Sequence, residues 1–193
     1  LPWRQVPLFL ATLRKREGMG ARALELVILT ACRSGEVRGA AWPEIDLQSR
    51  LWRIPADRMK SGKEHQIPLS TAAIGLLKTI PRLDGSELLF PSTSAGKISD
   101  MTLTAVLRRM KIDATVHGFR SSFKDWCRNC TQYPDEVSEL QLAHVNNDAT
   151  RAAYARDELL PQRTRLMQQW CQFLNSKQQS AKVVPIAGFN TEH

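Results

Sequence analysis

The stretch Leu24-Glu25-Leu26-Val27-Ile28-Leu29-Thr30-Ala31 is apolar nearly all the way round a helix. A helix with no polar face must sit at the centre of a fold, with other elements packed on every side. It runs straight into Cys32-Arg33-Ser34-Gly35-Glu36, so Arg33 stands at the mouth of the core. A charge beside so apolar a segment needs a partner or an anion. Glu36, three residues on, can orient the Arg33 guanidinium; on these residues alone a plain Arg33–Glu36 surface pair is the competing reading.

The chain has 193 residues, enough for one domain with a substantial core. Trp3, Val6, Phe9, Leu10 and Leu13 recur at helical spacing, and Arg14-Lys15-Arg16-Glu17-Gly18 closes that helix, which is expected on the outside of the core. Residues 42–47, 51–55 and 65–69 are short, apolar-rich and bounded by turn residues, which predicts a small three-stranded antiparallel sheet with a tight Ser61-Gly62 turn between its last two strands. Ser70 caps a helix over 71–80, and Ser99 or Asp100 opens another through Met110. Further helices are expected at about 118–130, 135–142, 148–156 and 161–175. The fold class is therefore α+β, mainly α-helical, with the sheet in the N-terminal half. Residues 1–175 form the expected domain, and 176–193 a tail that is flexible or docks on its own domain or a neighbour.

Lys plus Arg number 27 against 19 Asp plus Glu, a formal charge of +8. Such an excess favours polyanions, nucleic acid above all. Arg108, Arg109 and Lys111 cluster at a helix end where they suit DNA phosphates or simply face water. No apolar run reaches the roughly 18 residues that a membrane helix needs, and Leu1-Pro2-Trp3-Arg4 does not open a secretory signal, so a cytoplasmic protein without a membrane partner is expected. Cys127-x-x-Cys130 has metal-like local spacing, but Cys32 and Cys171 supply no second pair and the flanks look helical. Reduced thiols, no metal and no cofactor are the expectation.

Chemistry concentrates between Val116 and Tyr154. His117 and Arg120 stand three apart on a helix or its first turn, which lets an imidazole and a guanidinium share a face and converge on one small anion. His144 adds a second imidazole, and Tyr154 follows ten residues later. Singly, either histidine is more often a core residue than a catalyst. In the order Arg33, Lys60, His117-x-x-Arg120, His144, Tyr154, the chain resembles the catalytic domain of the tyrosine recombinase, or phage integrase, family, and its flanks resemble integrases of prophages and genomic islands. The resemblance runs from about Leu1 to Trp170, with all six family positions filled by the expected residue types.

That resemblance implies a site-specific recombinase that cleaves and rejoins DNA through a 3′-phosphotyrosyl link, integrating or excising mobile DNA at double-stranded attachment sites. Its full-length form would self-associate as a tetramer on DNA. The family usually carries DNA-clamping domains ahead of this one, so a catalytic-domain fragment is expected. The residues themselves allow the chemistry. Two guanidinium forks, Arg33 and Arg120, can orient a phosphate as well as neutralise it, and His144 can donate a third hydrogen bond. Tyrosine, with a pKa near ~10, needs a base or a cationic field; His117 is the candidate helper. The family places a catalytic lysine on the hairpin, the general acid for the departing 5′-oxygen. Lys60 fits that position better, with Lys63 in reserve and otherwise a DNA contact.

Two other readings use the same residues. A type IB topoisomerase-like enzyme would religate the same strand, and a DNA-binding module could have lost activity. A metal-dependent nuclease is disfavoured, since no acidic cluster accompanies the histidines. Tyr133, the other tyrosine, precedes Pro134 in an expected turn and reads as a packing residue.

Overall fold

The computed structural model describes residues 1–92, 96–144 and 159–176. The helix expected over 148–156, Tyr154 within it, and all of the tail but Ser176 lie outside the described residues.

Helix α2 (Met19–Thr30) is the central element. Packed against it are α1 (Val6–Leu13), α3 (Ser34–Arg38), α4 (Thr71–Thr79), α5 (Asp100–Arg109), α6 (Gly118–Cys130) and, last among the described residues, α8 (Leu160–Asn175). Leu24, Leu26, Val27, Ile28 and Leu29 are all buried, and each such aliphatic side chain contributes about 1.5–3 kcal/mol by leaving water. Glu25 is buried with them because Arg14 Nε (2.6 Å) and Arg22 Nη1 (3.0 Å) close on its two oxygens. Helix α1 lies at the edge as expected: Val6, Phe9, Leu10 and Leu13 face the core while Leu8 faces water. Helix α7 (Asp135–Gln141) packs between α6 and α8.

The sheet is three-stranded and antiparallel in the order β1 (Ile45–Asp46), β2 (Leu51–Ile54), β3 (His65–Pro68). The register pairs Trp52 with Ile67 and Ile54 with His65. Two local expectations are corrected. Residues 42–44 are a 3-10 turn rather than strand, because the Glu44 carboxylate turns back to accept from Ala41 N and Trp52 Nε1 and pairs with Arg58. Nor is the β2–β3 connection a tight hairpin: residues 55–64 contain a 3-10 turn at Ala56–Arg58. Arg58 draws this connection inward, donating to Glu36 O as well as pairing with Glu44. A side chain at Gly39 would press on the Arg58 guanidinium at 2.9 Å. Gly62, at φ +65°, still makes a turn there, donating to Met59 O at 3.0 Å.

Helix bounds elsewhere follow the capping signals. Ser70 Oγ accepts from Ala73 N at the start of α4. Helix α6 spans the expected Gly118–Cys130. Its Phe123 and Trp126 pack on Trp170 and Phe173 of α8, with Trp126 and Trp170 centroids 5.0 Å apart.

Candidate active site

The last turn of a helix leaves four carbonyls unsatisfied and carries the negative end of the helix dipole. Two such ends meet here. Helix α2 stops at Ala31, which adopts the left-handed conformation (φ +56°). The freed carbonyls take side-chain donors from distant elements: Trp170 Nε1 to Ile28 O, Gln141 Nε2 to Thr30 O, and Arg120 Nη1 to Ala31 O at 2.6 Å. Helix α7 ends in a Schellman turn. Ala143 is left-handed (φ +48°), its N–H reaches Leu140 O, and His144 N–H reaches Glu139 O.

Arg120 lies between the two ends. Its Nη2 donates to Leu142 O at 2.7 Å and stands 3.3 Å from His144 Nε2. Only 3% of Arg120 is exposed, a burial that the two helix C-termini make tolerable. Burial, then the neighbouring Arg33 charge, pushes its guanidinium below its ordinary pKa, though a guanidinium stays charged regardless. Arg33 approaches the same turn from α3 and donates from Nη2 to Ala143 O at 3.2 Å. Glu36 holds Arg33 twice, with Oε1 2.8 Å from Nη1 and Oε2 accepting from its backbone N–H at 2.8 Å. Two guanidinium groups and an imidazole from residues 33, 120 and 144 thus converge on one turn.

The other candidates are less tied in. His117 is the N-cap residue of α6 and exposed, and its side chain bonds to no described residue. The shared helical face therefore does not bring it onto Arg120. Lys60 and Lys63 are exposed on the 55–64 connection, and neither is ion-paired with a described residue. Arg108, Arg109 and Lys111 are exposed around the end of α5, and none of them is bonded to Arg33 or Arg120. Tyr133 is half-buried and accepts from Gln169 Nε2 at 3.5 Å. The thiols of Cys32 and Cys127 are pushed up to about 12 by burial and are inert at neutral pH.

Several residues that support the turn went unread in the sequence. His65, buried on β3, donates from Nε2 to Gln141 O at 3.3 Å. Arg163, fully buried on α8, donates from Nε to Gln141 Oε1 at 3.2 Å and also bonds Gln66 O. Glu139 Oε2 lies 2.8 Å from His144 Nδ1, and its other oxygen lies 2.5 Å from the buried Lys124 Nζ. One signal existed: Lys124 follows Arg120 at helical i+4 spacing and so shares its face.

The family model described as the phage integrase family matches residues 2–159. The integrase of Enterobacteria phage P4 is 36% identical over 197 residues, covering 91% of this chain and 45% of that protein. Prophage integrase IntA of Escherichia coli (strain K12) is 34% identical over 179 residues, covering 89% and 43%. The chain thus spans less than half the length of these relatives. Among solved structures, a lambda integrase(75-356) dimer bound to a COC′ core site superposes with a TM-score of 0.57 at 20% identity, covering 82% of this chain and 59% of that one. That likeness speaks for the fold. The sequence match over most of the chain gives the lineage: the protein belongs to the phage integrase family.

Proposed function

We propose that this chain is the catalytic domain of a site-specific DNA recombinase that cleaves and rejoins strands through a 3′-phosphotyrosyl intermediate, integrating or excising mobile DNA. The observation that carries the reading is the convergence of Arg33, Arg120 and His144 on the Leu142–His144 turn. Two like charges donate to neighbouring carbonyls of one turn, and of the two only Arg33 is ion-paired among the described residues, with Glu36, an arrangement that favours a shared anion. A scissile phosphate there would receive hydrogen bonds on its nonbridging oxygens while charge builds on the phosphorane.

Tyr154 is the proposed nucleophile, with His117 assisting its deprotonation and Lys60 protonating the 5′-oxygen that leaves. The P–O bond to that oxygen breaks as the tyrosyl P–O bond forms, so no water or high-energy cofactor is consumed. A second strand's 5′-hydroxyl then reverses the step. Lys63, Arg108, Arg109 and Lys111 contribute phosphate contacts on the duplex. Exchange between two duplexes requires four strand cleavages, which fits a tetramer of the full-length protein on paired attachment sites. A cytoplasmic location accords with DNA as substrate; among the described residues, no helix is long and apolar enough to cross a membrane.

The test is trapping on a nicked suicide duplex, followed by a denaturing gel and peptide mapping. A covalent DNA adduct on Tyr154 is expected; an adduct elsewhere, or none with attachment-site DNA, would overturn the reading.

A further inference from the structure

Lys124 is nearly inaccessible on α6, and a buried ammonium is costly unless every donor is matched. Here it is matched by one face of α7: Asp135 Oδ1 at 2.8 Å, Ser138 Oγ at 2.7 Å and Glu139 Oε1 at 2.5 Å. Glu139 is thereby fixed and has one oxygen left, which faces His144 Nδ1 at 2.8 Å. The backbone repeats the link, since the Schellman turn runs from His144 N–H to Glu139 O at 3.0 Å. Turns of this kind commonly set an apolar pair at these two positions; here the pair is a carboxylate and an imidazole. Burial acts to raise the Glu139 carboxyl, but the hydrogen bonds from Lys124 and His144 outweigh it and hold the group below its ordinary range. It is an anion at neutral pH.

We propose that Glu139, anchored by Lys124, is a positioning residue for His144: it keeps a proton on Nδ1 and fixes the ring plane, so that Nε2 is the nitrogen presented beside Arg120. The inference rests on the proposed role of His144 as a phosphate donor. With Nδ1–H held by Glu139, the neutral ring accepts from Arg120 at Nε2. An imidazolium in the same place donates to Glu139 on one side and to a phosphate on the other. Charge-assisted bonds of this sort are roughly twice as strong as neutral ones. A stability role alone explains the pair poorly, because His144 is well exposed and exposed ion pairs contribute little.

Substitution gives opposite expectations for position and for fold. In Glu139→Gln the amide oxygen would turn to Lys124 and the amide N–H₂ to Nδ1, which forces the Nε2–H tautomer on His144. Imidazole ¹⁵N spectra of the whole chain, with the His144 signals assigned by their loss in His144→Ala, should show Nδ1 protonated in the parent and the tautomer switched in Glu139→Gln. Single-turnover adduct formation on the suicide duplex should slow about 10- to 100-fold, the usual cost of losing an outer partner of a working histidine, with duplex affinity and melting temperature near those of the parent. In a His144→Ala background the same substitution should add nothing. Adduct formation at the parent rate, a full-size loss retained without His144, or an unchanged tautomer in Glu139→Gln would each overturn the proposal. If the parent forms no adduct, or His144→Ala does not slow it, the recombinase reading or the role of His144 has failed instead, and the ¹⁵N spectra still decide whether Glu139 sets the tautomer.

Discussion

Arg33 and Arg120 hold successive carbonyls of a single turn, the first donating to Ala143 O at 3.2 Å and the second to Leu142 O at 2.7 Å. They differ in what else depends on them. Arg120 also caps α2 through Ala31 O, whereas Arg33 is partly exposed and leans on Glu36. Lysine keeps the charge but loses the fork. Arg120→Lys should therefore leave a buried carbonyl unpaired and cost about 1–3 kcal/mol of stability, read as a lower urea midpoint. Arg33→Lys should stay close to the parent in the same titration. Both should slow single-turnover cleavage at saturating protein by roughly a hundredfold or more, the scale of losing one oxyanion donor. Parent-like cleavage in both would remove the phosphate clamp.

Tyr154→Phe should abolish the covalent adduct while leaving duplex binding near normal, since one oxygen is deleted. Tyr133→Phe should change little, because its hydroxyl makes one long hydrogen bond, to Gln169. Gel mobility of the denatured complex separates the two; an adduct kept by Tyr154→Phe and lost by Tyr133→Phe would exchange the assignment.

The limits of the sequence show in which residues it gave away. Helix α6 was legible from end to end because its apolar spacing and its entry after His117 are local signals, and α4 because Ser70 is a local cap. The three-stranded sheet was legible in strand number and antiparallel direction but not at its edges. Glu44 makes its turn through Trp52 and Arg58, partners that no short window contains. The site divides the same way. Arg33, Arg120 and His144 could be named from their order along the chain, and the structure brings those three together. What holds them is the pairing of two helix ends, written as contacts such as Arg120 to Ala31 and Gln141 to Thr30 between residues remote in sequence. A carboxylate five residues before His144 has no helical reason to face it. Only the left-handed Ala143 turn brings Glu139 and His144 together.

Lys60→Ala should slow cleavage at an ordinary 5′-oxygen but much less at a 5′-bridging phosphorothiolate, whose thiolate leaves without needing a proton. Lys63→Ala should show no such difference. Both lysines are exposed on the connection that Arg58 anchors, so neither change should disturb folding. Sulfur rescue of Lys63→Ala alone, or of neither variant, would take the acid role away from Lys60.

His65 gives the protein a pH dependence that needs no substrate to observe. The ring is 6% exposed, and burial, reinforced by the charges of Arg163, Arg33 and Arg120, pushes its pKa from 6.5 down to about 3. The folded protein therefore keeps His65 neutral where the unfolded chain binds a proton. The sign follows: this contribution is complete above about pH 6.5 and is lost as pH falls towards 3, at about 1.4 kcal/mol per pH unit once below the unfolded pKa. Between pH 7.5 and 5 the expected loss is about 2 kcal/mol. The depressed carboxyls of Asp46, Asp135 and Glu139 act below that interval, since their ordinary values are 3.8, 3.8 and 4.5. Urea titrations of the parent and of His65→Phe at pH 5, 6 and 7.5 make the comparison. The phenylalanine variant should be less stable at pH 7.5, having lost the bond to Gln141 O, yet its stability should fall less steeply on acidification. Parallel pH curves for the two proteins would mean that His65 titrates alike in both states, and that the ring beneath the Gln141–His144 turn is not held neutral by its burial.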